Sequence, residues 1–159
     1  MVQQTQTAWT ANRIFALVVG IVLLLLGIIG FFVPAENSTG VQAIFGIFDV
    51  DIVHNLFHVL SGIIGIAAAF TGWSRMFNRV FGVIYTLLGL LGLIPALYFP
   101  AGSYGHDNGL FLGLMHINAG DHILHLILGI AALAVSYMAH DYVATPVPST
   151  VDNDTTVEP

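Results

Sequence analysis

The sequence predicts an all-α integral membrane protein, a four-transmembrane-helix bundle made of two duplicated helical hairpins in parallel orientation. Three observations carry that expectation. Apolar residues make up 57% of the chain and charged residues only 8%, whereas soluble domains carry about a quarter charged residues. Four apolar runs reach the roughly 20 residues that a helix needs to cross a bilayer. And the second half of the chain repeats the pattern of the first.

The first span is expected over Ile14 to Val33, an uncharged run. It is too long for the apolar region of a cleaved signal, no positive cluster precedes it, and it is expected to be retained. The second runs from about Ile52 to Trp73, with His54, Asn55, His58 and Ser61 in its first half. The third is the uncharged run Val80 to Phe99, and the fourth extends from about Asp121 to Tyr142, with His122 and His125 near its start. Glycines inside these runs are compatible with membrane helices. The expected organisation is a polar lead-in over residues 1–12, a transmembrane domain over 13–142 with halves of about 13–75 and 79–142, and an acidic, proline- and threonine-rich disordered tail over 143–159.

Charge sets orientation and excludes partners. The net charge is −6 and only three residues are basic, so nucleic acid is not an expected partner, since phosphate binding needs clustered Lys or Arg. The lipid bilayer is, and a homo-oligomer or another membrane protein is compatible with the surface. Arg13 precedes the first span and Arg75 and Arg79 lie between the second and third. With four spans all three fall on one side, which the positive-inside rule makes cytoplasmic, with both termini there. The expected location is the cytoplasmic membrane. Absence of cysteine excludes disulfides, thiolate catalysis and cysteine metal sites.

The repeat is read at two offsets. At 67, "GIFDVDIVHNLFHVLSGI" (46–63) lies over "GLMHINAGDHILHLILGI" (113–130), so that Gly46 meets Gly113, Asp51 meets Asn118, His58 meets His125 and Gly62 meets Gly129. At 66, "RIF" (13–15) lies over "RVF" (79–81), and Pro34 over Pro100. Ordered matches over both helices of each half indicate duplication. Two-span halves enter the membrane in the same direction, the parallel class of repeat. The paired glycines Gly20 and Gly27, and Gly82 and Gly89, suit close helix packing. The short apolar runs "VQAIFGIF" and "GLFLGLMHI" are expected as stubs in the outer interface.

The outer ends of the second and fourth spans gather Asp49, Asp51, His54, Asn55, His58, Asp121, His122 and His125, with His116 and Asn118 just before. Ionisable groups in membrane segments are costly and are functional suspects. Several readings stay open. In the structural one, Asp51 caps the second helix, Asn118 or Asp121 caps the fourth, Asn55 is a structural polar residue, and His58 and His125 hydrogen-bond across the bundle. In the metal one, His54 and His58 at i, i+4 present two nitrogens on one helix face. With Asp121, His122 and His125 they form a set suited to zinc or copper. In the haem one, His58 and His125 are axial ligands. A pH-responsive role would use the same His and Asp cluster. No nucleophile motif surrounds Ser61, and no catalytic residue is assigned.

The motif "HNLFHVLSG" at 54–62 and the later "DHILHLILG" at 121–129 resemble those of domain-of-unknown-function family 4383, uncharacterised prokaryotic four-span membrane proteins. The resemblance covers roughly residues 10–140. It implies four transmembrane helices and supplies no activity and no catalytic residues. Asp51 and His122 stand where the family pattern leads one to expect asparagine. The functional expectation is a non-enzymatic structural or accessory membrane protein, the alternative being a metal- or haem-binding or pH-responsive one.

Overall fold

A computed structural model describes residues 9–36, 40–100 and 109–139. Four long helices follow one another: α1 (Ala11–Gly30), α2 (Ile52–Phe70), α3 (Ser74–Leu91) and α4 (Ala119–Met138). Each polar start has a local cause. The Thr10 hydroxyl accepts from the Arg13 N–H, and an Asp51 carboxylate oxygen accepts from the His54 N–H. Asn118 and Asp121 form a reciprocal capping box at α4. These contacts satisfy N–H groups that the first helical turn leaves without partners. The lead-in over residues 1–8, and the tail with His140, Asp141 and Tyr142, lie outside the described residues.

The helix boundaries correct the sequence reading in the third segment. α3 begins at Ser74 and stops at Leu91, so the run Val80 to Phe99 is not one helix. The chain turns at Gly92, Pro95–Leu97 form one 3₁₀ turn, and Tyr98–Phe99 are a strand, β3. Proline cannot continue an α-helix, because it lacks the N–H and its ring meets the preceding turn. The lost length is recovered at the other end, where α3 takes in Arg75, Asn78 and Arg79. By length and composition α1, α2 and α4 are each able to cross a membrane.

Burial is inverted relative to a soluble bundle. Asn12, His54, Asn55, His58, Asn78 and His125 are buried, while Ile, Leu, Val and Phe side chains on all four helices are exposed. Such a surface suits hydrocarbon, where apolar groups lose nothing and polar groups must find partners inside. At one end of the bundle Arg13 Nε donates to the Ala69 carbonyl and Arg75 donates to that of Ala139, each at 2.8 Å. Both arginines thus satisfy carbonyls at the ends of α2 and α4, where cations also meet the favourable end of the helix dipole. Asn78 donates to Asn12 beside them. The histidines occupy the opposite end.

Close packing within each hairpin rests on glycine. A Cβ at Gly20 would lie 2.9 Å from the Gly62 carbonyl oxygen, and one at Gly82 would lie 3.0 Å from that of Gly129. Gly27 faces the Asn55 carbonyl and Val59; Gly89 faces the His122 carbonyl and Leu126. Gly30 makes room for the Asn55 amide, and Gly92 for the His122 ring. These contacts relate α2 to α4 by 67 residues and α1 to α3 by 62. The alignment of "RIF" over "RVF" at 66 is therefore not the one the packing follows. Arginine at the head of each helix misled the match by one helical turn; the glycines, which need contact, carry the register.

The connections are small β-structures instead of bare interfacial stubs. In the first, β1 (Gln42–Ile44) pairs antiparallel with β2 (Phe48–Val50). In the second, β3 pairs with β4 (Leu110–Phe111), and the chain turns again before α4. Phe45 and Leu112 both adopt positive φ, 55° and 53°, each followed by a positive-φ glycine, Gly46 and Gly113. That backbone is strained for a branched or bulky side chain. It occurs at equivalent points of the two connections.

Candidate metal centre

Two helix starts converge on one point. α2 sends His54 and His58 inward from successive turns, and α4 sends His125 toward them. All three are buried, with 2%, 6% and 4% exposure. Their rings pack edge to face, with centroids 4.4 Å apart for His54 and His58, 5.8 Å for His54 and His125, and 6.4 Å for His58 and His125. One ring nitrogen from each lies within 4.8 Å of the others. Tyr85 of α3 closes the group, its ring centroid 4.9 Å from that of His125.

Hydrogen bonding leaves this group short of partners. His54 Nδ1 lies 2.9 Å from the His116 carbonyl oxygen. A carbonyl only accepts, so Nδ1 carries the proton and Nε2 presents a lone pair. His54 Nε2, His58 Nδ1 and His125 Nδ1 are buried with no hydrogen-bond partner. A buried polar atom without a partner costs on the order of 1–3 kcal/mol, so an occupant bonding to these rings would relieve that cost. The same geometry does not favour the structural reading, in which His58 and His125 would hydrogen-bond across the bundle.

The remaining predicted residues divide by task. Asp121 is not among the close-set ligand atoms of the trio, and its Oδ2 accepts from the Asn118 N–H at 2.9 Å and the Asp49 N–H at 3.2 Å. His122 turns the other way, and its Nε2 lies 2.6 Å from the Tyr98 hydroxyl. Asp51 caps α2 and accepts the His116 N–H at 2.9 Å. Asn55 donates to Gln42, and Asn118 donates to the Ile47 carbonyl as well as capping α4. The Asp51–His116, Asn118–Ile47 and Asp121–Asp49 bonds stitch each connection to the helix start of the other half. The His116 carbonyl and Tyr98 went unnoticed in the sequence, since a backbone acceptor leaves no trace there and Tyr98 was read as part of a span.

The geometry is selective among ligands. Three imidazoles with one fixed by a backbone carbonyl are a common arrangement for a divalent ion, the carbonyl orienting the ring and setting its tautomer. Tetrahedral zinc at about 2.0–2.1 Å from each nitrogen leaves a fourth position open. A haem between His58 and His125 does not fit. The three centroid distances put the His54 ring against both others, where the macrocycle would lie.

No curated protein and no solved structure matches the chain. Residues 13–138 match the family described as "Domain of unknown function (DUF4383)". That match extends over both hairpins and all three histidines, and the chain belongs to this family.

Proposed function

We propose that this chain is a non-enzymatic accessory protein of the cytoplasmic membrane that holds one divalent metal ion, zinc or copper, between its two hairpins. His54, His58 and His125 are the protein ligands. The observation that carries the reading is the convergence of three buried imidazoles, each with a ring nitrogen that lacks a partner. Imidazole suits zinc and copper alike, and the choice between them follows from supply as much as from affinity.

In this reading all four helices span, α3 with its arginines at the lipid boundary. Support comes from its outward residues Val80, Val83, Ile84, Leu87 and Leu90, all exposed. Two halves in parallel orientation arose by duplication, a reading supported by the constant glycine register and the matching positive-φ pairs. The arginine end faces the cytoplasm, with both termini, and the metal sits near the outer surface.

The test is elemental analysis of protein purified without added metal and again after zinc or copper loading. About one equivalent is expected in the native chain. His58→Ala and His125→Ala should lose it, while His122→Ala and Asp121→Asn, which alter residues with other partners, should retain it. Folded native protein with no bound metal after loading would sink the proposal.

A further inference from the structure

A cavity of about 390 Å³ opens beside the histidines, between α2 and α3. His54, His58 and His125 line its inner end, and Phe77, Phe81 and Tyr85 line α3's side. Its rim is made of Phe57, Ile64, Val80, Ile84, Leu112 and Leu114, all of them exposed on the lipid-facing surface. The opening is therefore lateral, toward the acyl region. Its volume falls in the range of small-molecule pockets, roughly 300–1,000 Å³.

The matching gap on the other side of the bundle is closed. Leu23, Ile44, Phe48, Asp121, Leu124 and Leu128 line it. In the glycine register they correspond to Tyr85, Phe111, Met115, His54, Phe57 and Ser61 of the open cavity. The closed gap holds only about 10 Å³, space for about one water molecule. Where Leu128 puts a branched side chain on one gap, Ser61 puts only a hydroxymethyl group on the other. The cavity is a feature of one half and not a general looseness of the bundle.

We propose that this cavity admits from the bilayer a long-chain carboxylate whose head completes the metal's coordination, an inference that rests on the metal reading above. Three neutral imidazoles leave the ion's charge uncompensated. Backbone N–H groups engage both carboxylate oxygens of Asp51 and the Oδ2 of Asp121, and neither residue belongs to the close-set trio. The cavity brings an outside anionic oxygen to the three rings by an approach walled by phenylalanine, isoleucine and leucine. A molecule with one anionic end and an apolar body meets both demands. Ser61, in hydrogen-bonding contact with the Tyr85 hydroxyl, stands where the head would pass.

Cobalt-loaded protein in detergent reads both steps separately, because visible cobalt bands report the ligand set. Sodium oleate should shift the bands, and oleyl alcohol and acetate at equal concentration should not. Ser61→Phe should keep the metal and weaken the oleate response by about tenfold or more; Ile84→Phe, at the rim, serves should that variant misfold. Cobalt bands indifferent to oleate, or an equal response to acetate, would overturn this inference while leaving the metal site standing. Folded protein without cobalt bands would remove both.

Discussion

His58 and His125, separated by 67 positions in the chain, meet with ring centroids 6.4 Å apart at right angles across the two hairpins. Neither of their Nδ1 atoms has a hydrogen-bond partner. The pair spans the seam between halves that otherwise pack mostly within themselves, so whatever the rings share also joins the hairpins.

A ligand bound only by the folded state stabilises it. Zinc at a hundredfold excess over its dissociation constant should add about 2.7 kcal/mol to unfolding. Chelator should reverse the gain, and His125→Ala should abolish it. Thermal unfolding in detergent, followed by circular dichroism, reads this directly; an equal gain in the variant would place the ion elsewhere.

Asp51 has two tasks on one carboxylate. Oδ1 caps α2 and Oδ2 accepts the His116 N–H. Asp51→Ala should cost about 2–4 kcal/mol, combining a lost cap with a buried N–H left without a partner. Asp51→Asn keeps the cap through its amide oxygen and should cost less. Reversible unfolding in mixed micelles separates the two, and equal losses would contradict the division of tasks.

Gly129 faces Thr86 so closely that a Cβ would lie 2.5 Å from its backbone nitrogen. Backbone cannot step aside as a flexible side chain can. Gly129→Ala should destabilise the second hairpin by about 1–3 kcal/mol. At Gly72, where a Cβ would meet nothing, alanine should be tolerated. Parity between the two variants would refute the close approach.

The Tyr98 hydroxyl lies 2.6 Å from His122 Nε2 and 3.0 Å from the Gly92 carbonyl oxygen. With Nε2–H donating to the hydroxyl, the O–H is free to donate to Gly92, and one side chain satisfies both. Tyr98→Phe should lower stability by about 1–3 kcal/mol and leave metal content unchanged. Loss of metal in this variant would mean that His122 belongs to the centre after all.

Helical class and helix number were legible because long runs of apolar residues with few charges dictate helices of span length. So was the neighbourhood of His54, His58 and His125, since i, i+4 spacing and an offset of 67 place them on facing helix starts. The end of α3 was not, because Leu93, Ile94 and Leu97 continue the apolar character while Pro95 breaks the helix. Membership of the centre was also illegible. Asp121 sits at helical spacing from His125 as His54 does from His58, and only the three-dimensional fold brings the Asp49 and Asn118 N–H groups to its carboxylate. Ser61 reads as one more small residue in a glycine-rich run; its space becomes visible only against Leu128.

The glycine interlocks make each hairpin complete in its own backbone contacts, yet the histidine trio takes two rings from one hairpin and one from the other. A metal bound there, as proposed, would make the site a coincidence detector. If the chain were severed in the short turn between Phe70 and Ser74, two polypeptides could each insert and pair internally. A third nitrogen would reach the first two only where the separate pieces had found each other. Metal retention by co-expressed halves would then count assembled complexes.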